Sequence, residues 1–229
     1  MNIYGLQKMT LLDYPEHIAC TVFFPGCDFR CPYCHNFELV DGSAEPVISE
    51  HDFFTFLGKR KGLLDGVAIT GGEPLLQKEL PEFIKKIKDM GFLVKLDTNG
   101  YHPDRLKKLI DDRLLDYIAM DIKNSLEKYP TTIGLSNINT SLIKESIAVI
   151  MGSSVDYEFR TTVISQFHTE DDFEEIGNTI CGANRYFLQQ FVERDTVPDS
   201  SLSAPTAEKM DSFLEIARKY VPSAQLRGL

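Results

Sequence analysis

The side chains of this sequence best suited to chemistry are Cys27, Cys31 and Cys34, spaced Cys-x3-Cys-x2-Cys in the stretch PGCDFRCPYCHNF. They are three of five cysteines, and one short loop supplies all three without an obvious fourth. Thiolates are soft metal ligands. A structural zinc site is closed by four protein ligands, often two C-x2-C pairs, so here His35 or the distant Cys20 would have to complete it. An iron–sulfur cluster held by three cysteines instead leaves one iron open to an outside molecule. Disulfides fit poorly, because three clustered cysteines cannot pair evenly and this cysteine usage suits a reducing compartment, which makes the cytoplasm the expected location. Cys20 lies in an apolar run and reads as a small buried hydrophobe. Cys181 receives no role. Two classes follow from the loop: a reactive 4Fe–4S centre, which suits its three-ligand spacing better, and a zinc-stabilised interaction module.

Such a loop needs a framework, and the sequence supplies alternating strand and helix patterns. Strands are expected at 18–24, 66–70, 92–97, 117–122, 157–164 and 186–191, with a closing strand at 225–227. Between them fall helices at about 49–57, 79–90, 104–110, 139–150, 170–180 and 206–220, and a long polar loop at 195–205. About six strand–helix units imply an α/β fold with parallel strands and right-handed crossovers. A complete eight-unit barrel takes about 250 residues, so 229 residues point to a partial barrel or to a doubly wound sheet. Either places chemistry at the C-terminal ends of the strands. The cysteines follow the first strand, Gly71-Gly72-Glu73-Pro74 the second, Asp97-Thr98-Asn99-Gly100 the third, and Asp121 and Lys123 the fourth.

Composition narrows the remaining classes. With 43% hydrophobic and 25% charged residues the chain reads as one globular domain spanning 1–229, without repeats or linkers. No apolar run approaches the ~18 residues of a membrane span, and no signal peptide is expected. A formal net charge of −10 argues against broad nucleic-acid binding.

The cysteine spacing, with an aromatic residue (Tyr33) just before the last cysteine, resembles the radical S-adenosylmethionine enzymes. The resemblance implies a partial (β/α)6 barrel and one 4Fe–4S cluster held by Cys27, Cys31 and Cys34. Its open iron would be chelated by the amino and carboxylate groups of S-adenosylmethionine, which is cleaved by one electron to methionine and a hydrogen-abstracting 5′-deoxyadenosyl radical. Gly71-Gly72-Glu73-Pro74, on its own only a turn, matches the family's second motif, whose backbone and Glu73 would receive the cofactor's amino group. Adjacent glycines permit close approach, and a carboxylate suits an ammonium.

By the same resemblance Asp97, Thr98, Asn99, Asp121 and Lys123 would line the cofactor. Lys123 would meet the methionyl carboxylate, and Asp97, Thr98 and Asp121 would offer oxygens that a monovalent cation could share. Arg160 would either reach the cofactor or pair with a core carboxylate. Gln189 and Gln190 would either touch adenine or ribose or face an edge, and His168 would belong to a helix N-terminus.

The strings GCDFRCPYCHN, QKMTLLDYP and LQQF are similar to the activating enzymes of glycyl-radical enzymes, in the branch associated with anaerobic ribonucleoside-triphosphate reductase. The implied reaction is hydrogen abstraction from a backbone glycine of a partner enzyme. With only Cys20 and Cys181 left over there is no material for a second cluster, so the electron would come from a flavodoxin or ferredoxin. A radical enzyme acting on a small molecule or another peptide is the enzymatic alternative.

Overall fold

The structure, a computed structural model, describes residues 1–228. Its strands are β1 (Asn2–Ile3), β2 (Gly5–Thr10), β3 (Ala19–Phe24), β4 (Ile48–Ser49), β5 (Gly66–Gly71), β6 (Leu93–Thr98), β7 (Tyr117–Asp121), β8 (Asp156–Val163), β9 (Tyr186–Gln190) and β10 (Gln225–Arg227). The helices are α1 (Phe37–Asp41), α2 (Glu50–Gly58), α3 (Leu80–Asp89), α4 (Pro103–Asp111), α5 (Tyr129–Thr132), α6 (Thr140–Met151), α7 (Glu170–Thr179) and α8 (Ala207–Tyr220), with a 3-10 turn at Pro74–Leu76.

Eight strands form one sheet in the order β10-β9-β8-β7-β6-β5-β3-β2, and β1 with β4 makes a separate small ribbon. Every pair from β3 to β10 is parallel, whereas β2 runs antiparallel to β3. The fold is therefore the expected α/β type, with six central parallel strands and one further strand on each side. Among the described residues β2 and β10 do not pair, so the sheet curls into a partial barrel that stays open between its edges. The edge strand β2 was missing from the sequence expectations for a physical reason. Gln7, Lys8 and Met9 are all exposed, so no apolar alternation marks it, and an exposed lysine is a usual guard on a sheet edge.

Alternation along the strands separates two environments. One face, including Cys20, Val22 and Phe24 of β3 and Val94 and Leu96 of β6, joins the main apolar core under the helices. There Phe83 of α3 meets the rings of Phe24 and Phe53, each at 5.4 Å between centroids. Truncating such a buried ring costs about 3–5 kcal/mol. The other face carries Lys95, Asp97, Asp121, Glu158 and Arg160 into the lumen, and register sets Asp121 opposite Arg160.

Candidate active site

The cysteine loop leaves β3 at Phe24 and is fixed on several sides. Glu73 N–H donates to Gly26 O at 2.7 Å, and Gln77 Nε2 donates to Pro25 O at 2.8 Å. A Cβ on Gly72 would lie 2.0 Å from Gly26 O, and one on Gly71 (φ +128°) would lie 2.2 Å from Phe24 O. Only glycine tolerates these approaches, so the Gly-Gly pair is what lets the two loops touch. Arg30 N–H donates to Ile133 O at 2.9 Å, and the His102 ring meets Asp28 at 2.7 Å. Asp199 N–H donates to Pro32 O at 3.0 Å. His35 stacks on Phe191 and places Nε2 at 2.7 Å from Val192 O, which commits that nitrogen to a carbonyl.

All three loop cysteines are free thiols, and Cys31 is buried. Burial pushes the Cys27 thiol up to about 12 and Cys31 up to about 11, and raises Cys34 as well. Burial thus favours the neutral thiols, which metal binding must deprotonate. Phe29 N–H and Asn99 Nδ2 already point at Cys27 Sγ, at 3.4 and 3.6 Å. Among the described residues no three His, Cys, Asp or Glu side chains converge on a single metal ion. In a 4Fe–4S cluster each cysteine sulfur binds its own iron, so convergence on one point is not needed.

The thiols open onto a cavity of about 250 Å³ at the C-terminal rim of the sheet. Opposite them stands an ion-pair network. Arg160 Nε donates to Asp121 Oδ1 at 2.9 Å and Nη1 to Asp97 Oδ2 at 3.4 Å. Lys123 Nζ meets Asp121 Oδ2 at 3.0 Å, and Lys95 Nζ pairs with Asp97. Burial alone would raise Asp121, but the Arg160 guanidinium and then Lys123 hold it down to about 2. Asp97 is lowered the same way, by Arg160 and then Lys95 against its burial. Burial disfavours charge on Lys123, yet Asp121 keeps it firmly cationic.

His168 contributes from behind. Its Nδ1 accepts from Ile164 N–H at 3.1 Å, so Nε2 carries the proton and donates to Lys123 O at 3.0 Å. The histidine thus braces the loop bearing Lys123, in addition to preceding α7 as expected.

Of the residues singled out by sequence, Cys27, Cys31, Tyr33, Cys34, Gly71, Gly72, Asp97, Thr98, Asn99, Asp121, Lys123 and Arg160 all line the cavity. Glu73 does not. Its carboxylate is fully buried behind the wall, accepting from Leu75 N at 2.9 Å, Asn99 N at 2.7 Å and Thr98 Oγ1 at 3.0 Å. The resemblance aims it at the cofactor's ammonium; in this structure it ties the β5 loop to the end of β6. Gln189 lines the cavity, whereas Gln190 turns away to Pro205 O. Thr162 also lines the cavity and was not foreseen, although it lies two residues beyond Arg160 on the same strand face. Of the two possible fourth zinc ligands, Cys20 points into the helix-side core, and His35 spends Nε2 on the Val192 carbonyl.

One buried atom tests whether the site fits a 4Fe–4S cluster. Among the described residues Tyr33 Oη is the sole buried side-chain polar atom without a hydrogen-bond partner, and Tyr33 lines the cavity between two of the cysteines. An orphan donor beside free thiols and N–H groups aimed at a sulfur fits a sulfur-rich acceptor.

The Radical SAM superfamily pattern matches residues 21–180, which contain both the cysteine loop and the charged rim. The chain belongs to this superfamily. It is 30% identical over 238 residues to a Methanocaldococcus jannaschii protein named as a candidate glycyl-radical enzyme activating enzyme, covering 99% of this chain and 96% of that one. It is also 27% identical over 179 residues to the Escherichia coli K12 pyruvate formate-lyase 1-activating enzyme, covering 75% and 71%. Among solved structures, Streptococcus suis SuiB bound to S-adenosylmethionine superposes with a TM-score of 0.67 at 14% identity, over 91% of this chain and 52% of that one. The chain thus spans about half of that structure, and the likeness concerns the fold. Radical SAM enzymes work with a 4Fe–4S cluster on three cysteines and with S-adenosylmethionine. This chain is an enzyme of that kind, with Cys27, Cys31 and Cys34 as its three thiols.

Proposed function

We propose that this chain activates a glycyl-radical enzyme, with anaerobic ribonucleotide reductase as the partner. The observation that carries this is a three-thiol loop facing a cationic and carboxylate rim across one cavity, in a sheet left open at its side. A polypeptide loop needs a wide lateral entrance, and a closed barrel would not provide it. When bound, the cluster and S-adenosylmethionine supply reductive cleavage of a sulfonium and hydrogen-atom abstraction.

The protein's own part is to bind, orient and shield. Gly71 and Gly72 expose backbone for close approach. Lys123 offers the cation for the methionyl carboxylate, while Asp97 and Asp121 offer oxygens for the ammonium. Arg160 sets the spacing of the two carboxylates, and Asn99 caps Cys27 while Glu73 holds Asn99. The same oxygens were the expected place for a monovalent cation. The two carboxylates already face Lys95, Lys123 and Arg160, so an ammonium or a metal cation bound there shares its oxygens with these side chains.

The decisive experiment is anaerobic reconstitution followed by incubation with candidate glycyl-radical proteins, read by electron paramagnetic resonance. A glycine-centred doublet on a ribonucleotide reductase supports the assignment. No doublet on any candidate, with cofactor cleavage intact, would point to a small-molecule or other peptide substrate. Cys27→Ala should abolish cofactor cleavage, and Cys20→Ala should not.

A further inference from the structure

Activation as proposed needs one electron from outside the chain. Beyond the loop only Cys20 and Cys181 remain, the first buried in β3 and the second exposed after α7, so they cannot assemble a relay cluster. A carrier must therefore dock on protein that touches the cysteine loop. With a formal net charge of −10, most of this surface repels an acidic partner.

One groove has the opposite character. It lies between the turn Pro74–Leu76 with the start of α3 on one side and α4 on the other, with a volume of about 230 Å³. Leu75, Leu80 and Leu109 form its floor, and Lys78, Arg105 and Lys108 stand around it. No acidic side chain lines it: the neighbouring Glu79 and Asp104 stay outside. Among the described residues none of the three cations belongs to an ion pair. Arg105 is held in place by donating to Leu75 O, while Lys78 and Lys108 are exposed.

The groove backs directly onto the cysteine loop. Gln77 donates to Pro25 O at 2.8 Å, and a Cβ on Gly26 would touch Leu76 Cδ1 at 3.5 Å. On the other side His102, at the start of α4, holds Asp28 at 2.7 Å. The floor of the groove and the loop bearing Cys27 are thus the two sides of one layer of chain. The N-terminal end of α3, at Leu80 and Pro81, adds its positive dipole end to the same rim.

We propose that this groove is the docking surface for an acidic, low-potential one-electron carrier protein, an inference that rests on the radical activity proposed above. Its cations steer an acidic partner through an otherwise repulsive field, and the buried leucines beneath hold the segments that carry those cations in place. One electron passes from the carrier to the cluster. A flavin hydroquinone anion becomes the neutral semiquinone, and no proton or other atom is transferred.

The test uses a flavodoxin as the carrier. Binding of oxidised flavodoxin to the unloaded chain gives an affinity, and oxidation of its hydroquinone by the reconstituted protein gives a second-order rate constant. Lys78→Glu/Lys108→Glu should weaken both about tenfold at low salt and flatten the salt dependence of the rate. Lys59→Glu/Lys61→Glu, the same charge change just before β5 at the opposite rim, should leave both within about twofold of the parent. Dithionite-driven cleavage of S-adenosylmethionine should be equal in all three proteins. A groove variant that matches the parent in affinity and rate overturns the docking surface while dithionite-driven cleavage still upholds the enzyme. A parent that cleaves nothing with dithionite overturns the radical activity, and the groove with it.

Discussion

Two carboxylate sites flank the cavity, and they resolve the cost of desolvation in opposite ways. Glu73, on the β5–β6 side, is fully buried with three hydrogen-bond donors and no ion-pair partner. Burial pushes it up to about 7, and the Asn99 and Leu75 N–H groups and the Thr98 hydroxyl offset this only in part. Asp121, on the β7–β8 side, has Arg160 and Lys123 within 3.0 Å and is held down to about 2. Hydrogen bonds from neutral groups position a carboxylate without guaranteeing its charge, whereas two cations fix the charge firmly. The first site is suited to holding a loop in place. The second is suited to presenting permanent charge to a ligand.

Removing the cation that spans the second site should have the largest effect. Arg160→Met leaves Asp97 and Asp121 with one lysine each. Breaking a buried pair costs about 3–5 kcal/mol. Because the cavity admits some water, the lower end, about 3 kcal/mol, is expected in urea unfolding near neutral pH. The Asp121 carboxyl, followed by carbon-detected NMR, should also titrate higher. A loss below about 1 kcal/mol would mean that the lysines alone balance the two carboxylates, and the contrast with Glu73 would lose its cause.

The two sites should also depend on pH with opposite signs in the unloaded protein. Glu73 has a folded value raised from 4.5 to about 7, so its contribution is complete below 4.5 and is lost as pH rises through about 7. Asp121 is lowered from 3.8 to about 2, so its contribution is complete above 3.8 and is lost as pH falls through about 2. Each tenfold change in a protonation equilibrium between folded and unfolded chain is worth roughly 1.4 kcal/mol. Relative to Glu73→Gln, the parent should therefore lose about 2 kcal/mol of stability between about pH 5 and 8. A difference that stays flat across that range would show Glu73 charged throughout, its three donors outweighing its burial.

What the sequence could reveal divides along the same lines. The cysteine loop, Gly71-Gly72 and the Asp97, Asp121 and Lys123 positions are contiguous strings directly after apolar strands, so local pattern located them. Glu73 was located, but its partners Thr98 and Asn99 were not, because they lie at the end of another strand and only the folded sheet brings them together. The Asp28–His102 tie and the His35–Val192 contact join residues 74 and 157 positions apart, a separation that no spacing rule encodes. The expected six units matched the parallel core. The outer strand β2 escaped notice because its middle residues, Gln7 to Met9, are exposed one after another and carry no hydrophobic period.

The smallest expected effect concerns Tyr33, which stands between these sites and distinguishes an empty cavity from a loaded one. In the unloaded protein its hydroxyl is buried with only the weakly accepting Cys31 thiol beside it and no hydrogen bond of full geometry, and an unsatisfied buried polar group costs about 1–3 kcal/mol. Tyr33→Phe removes that group and keeps the ring that packs 6.1 Å from Phe167. The unloaded variant should therefore be more stable than the parent by about 1 kcal/mol, an unusual sign for a change in a buried wall. Loading the cluster should shrink or reverse the difference if the hydroxyl then donates to a sulfur or to the bound cofactor. Thermal unfolding of both forms measures this directly. An unloaded variant less stable than the parent would mean that the hydroxyl already has a partner, such as an ordered water, and that the cavity is satisfied before anything binds.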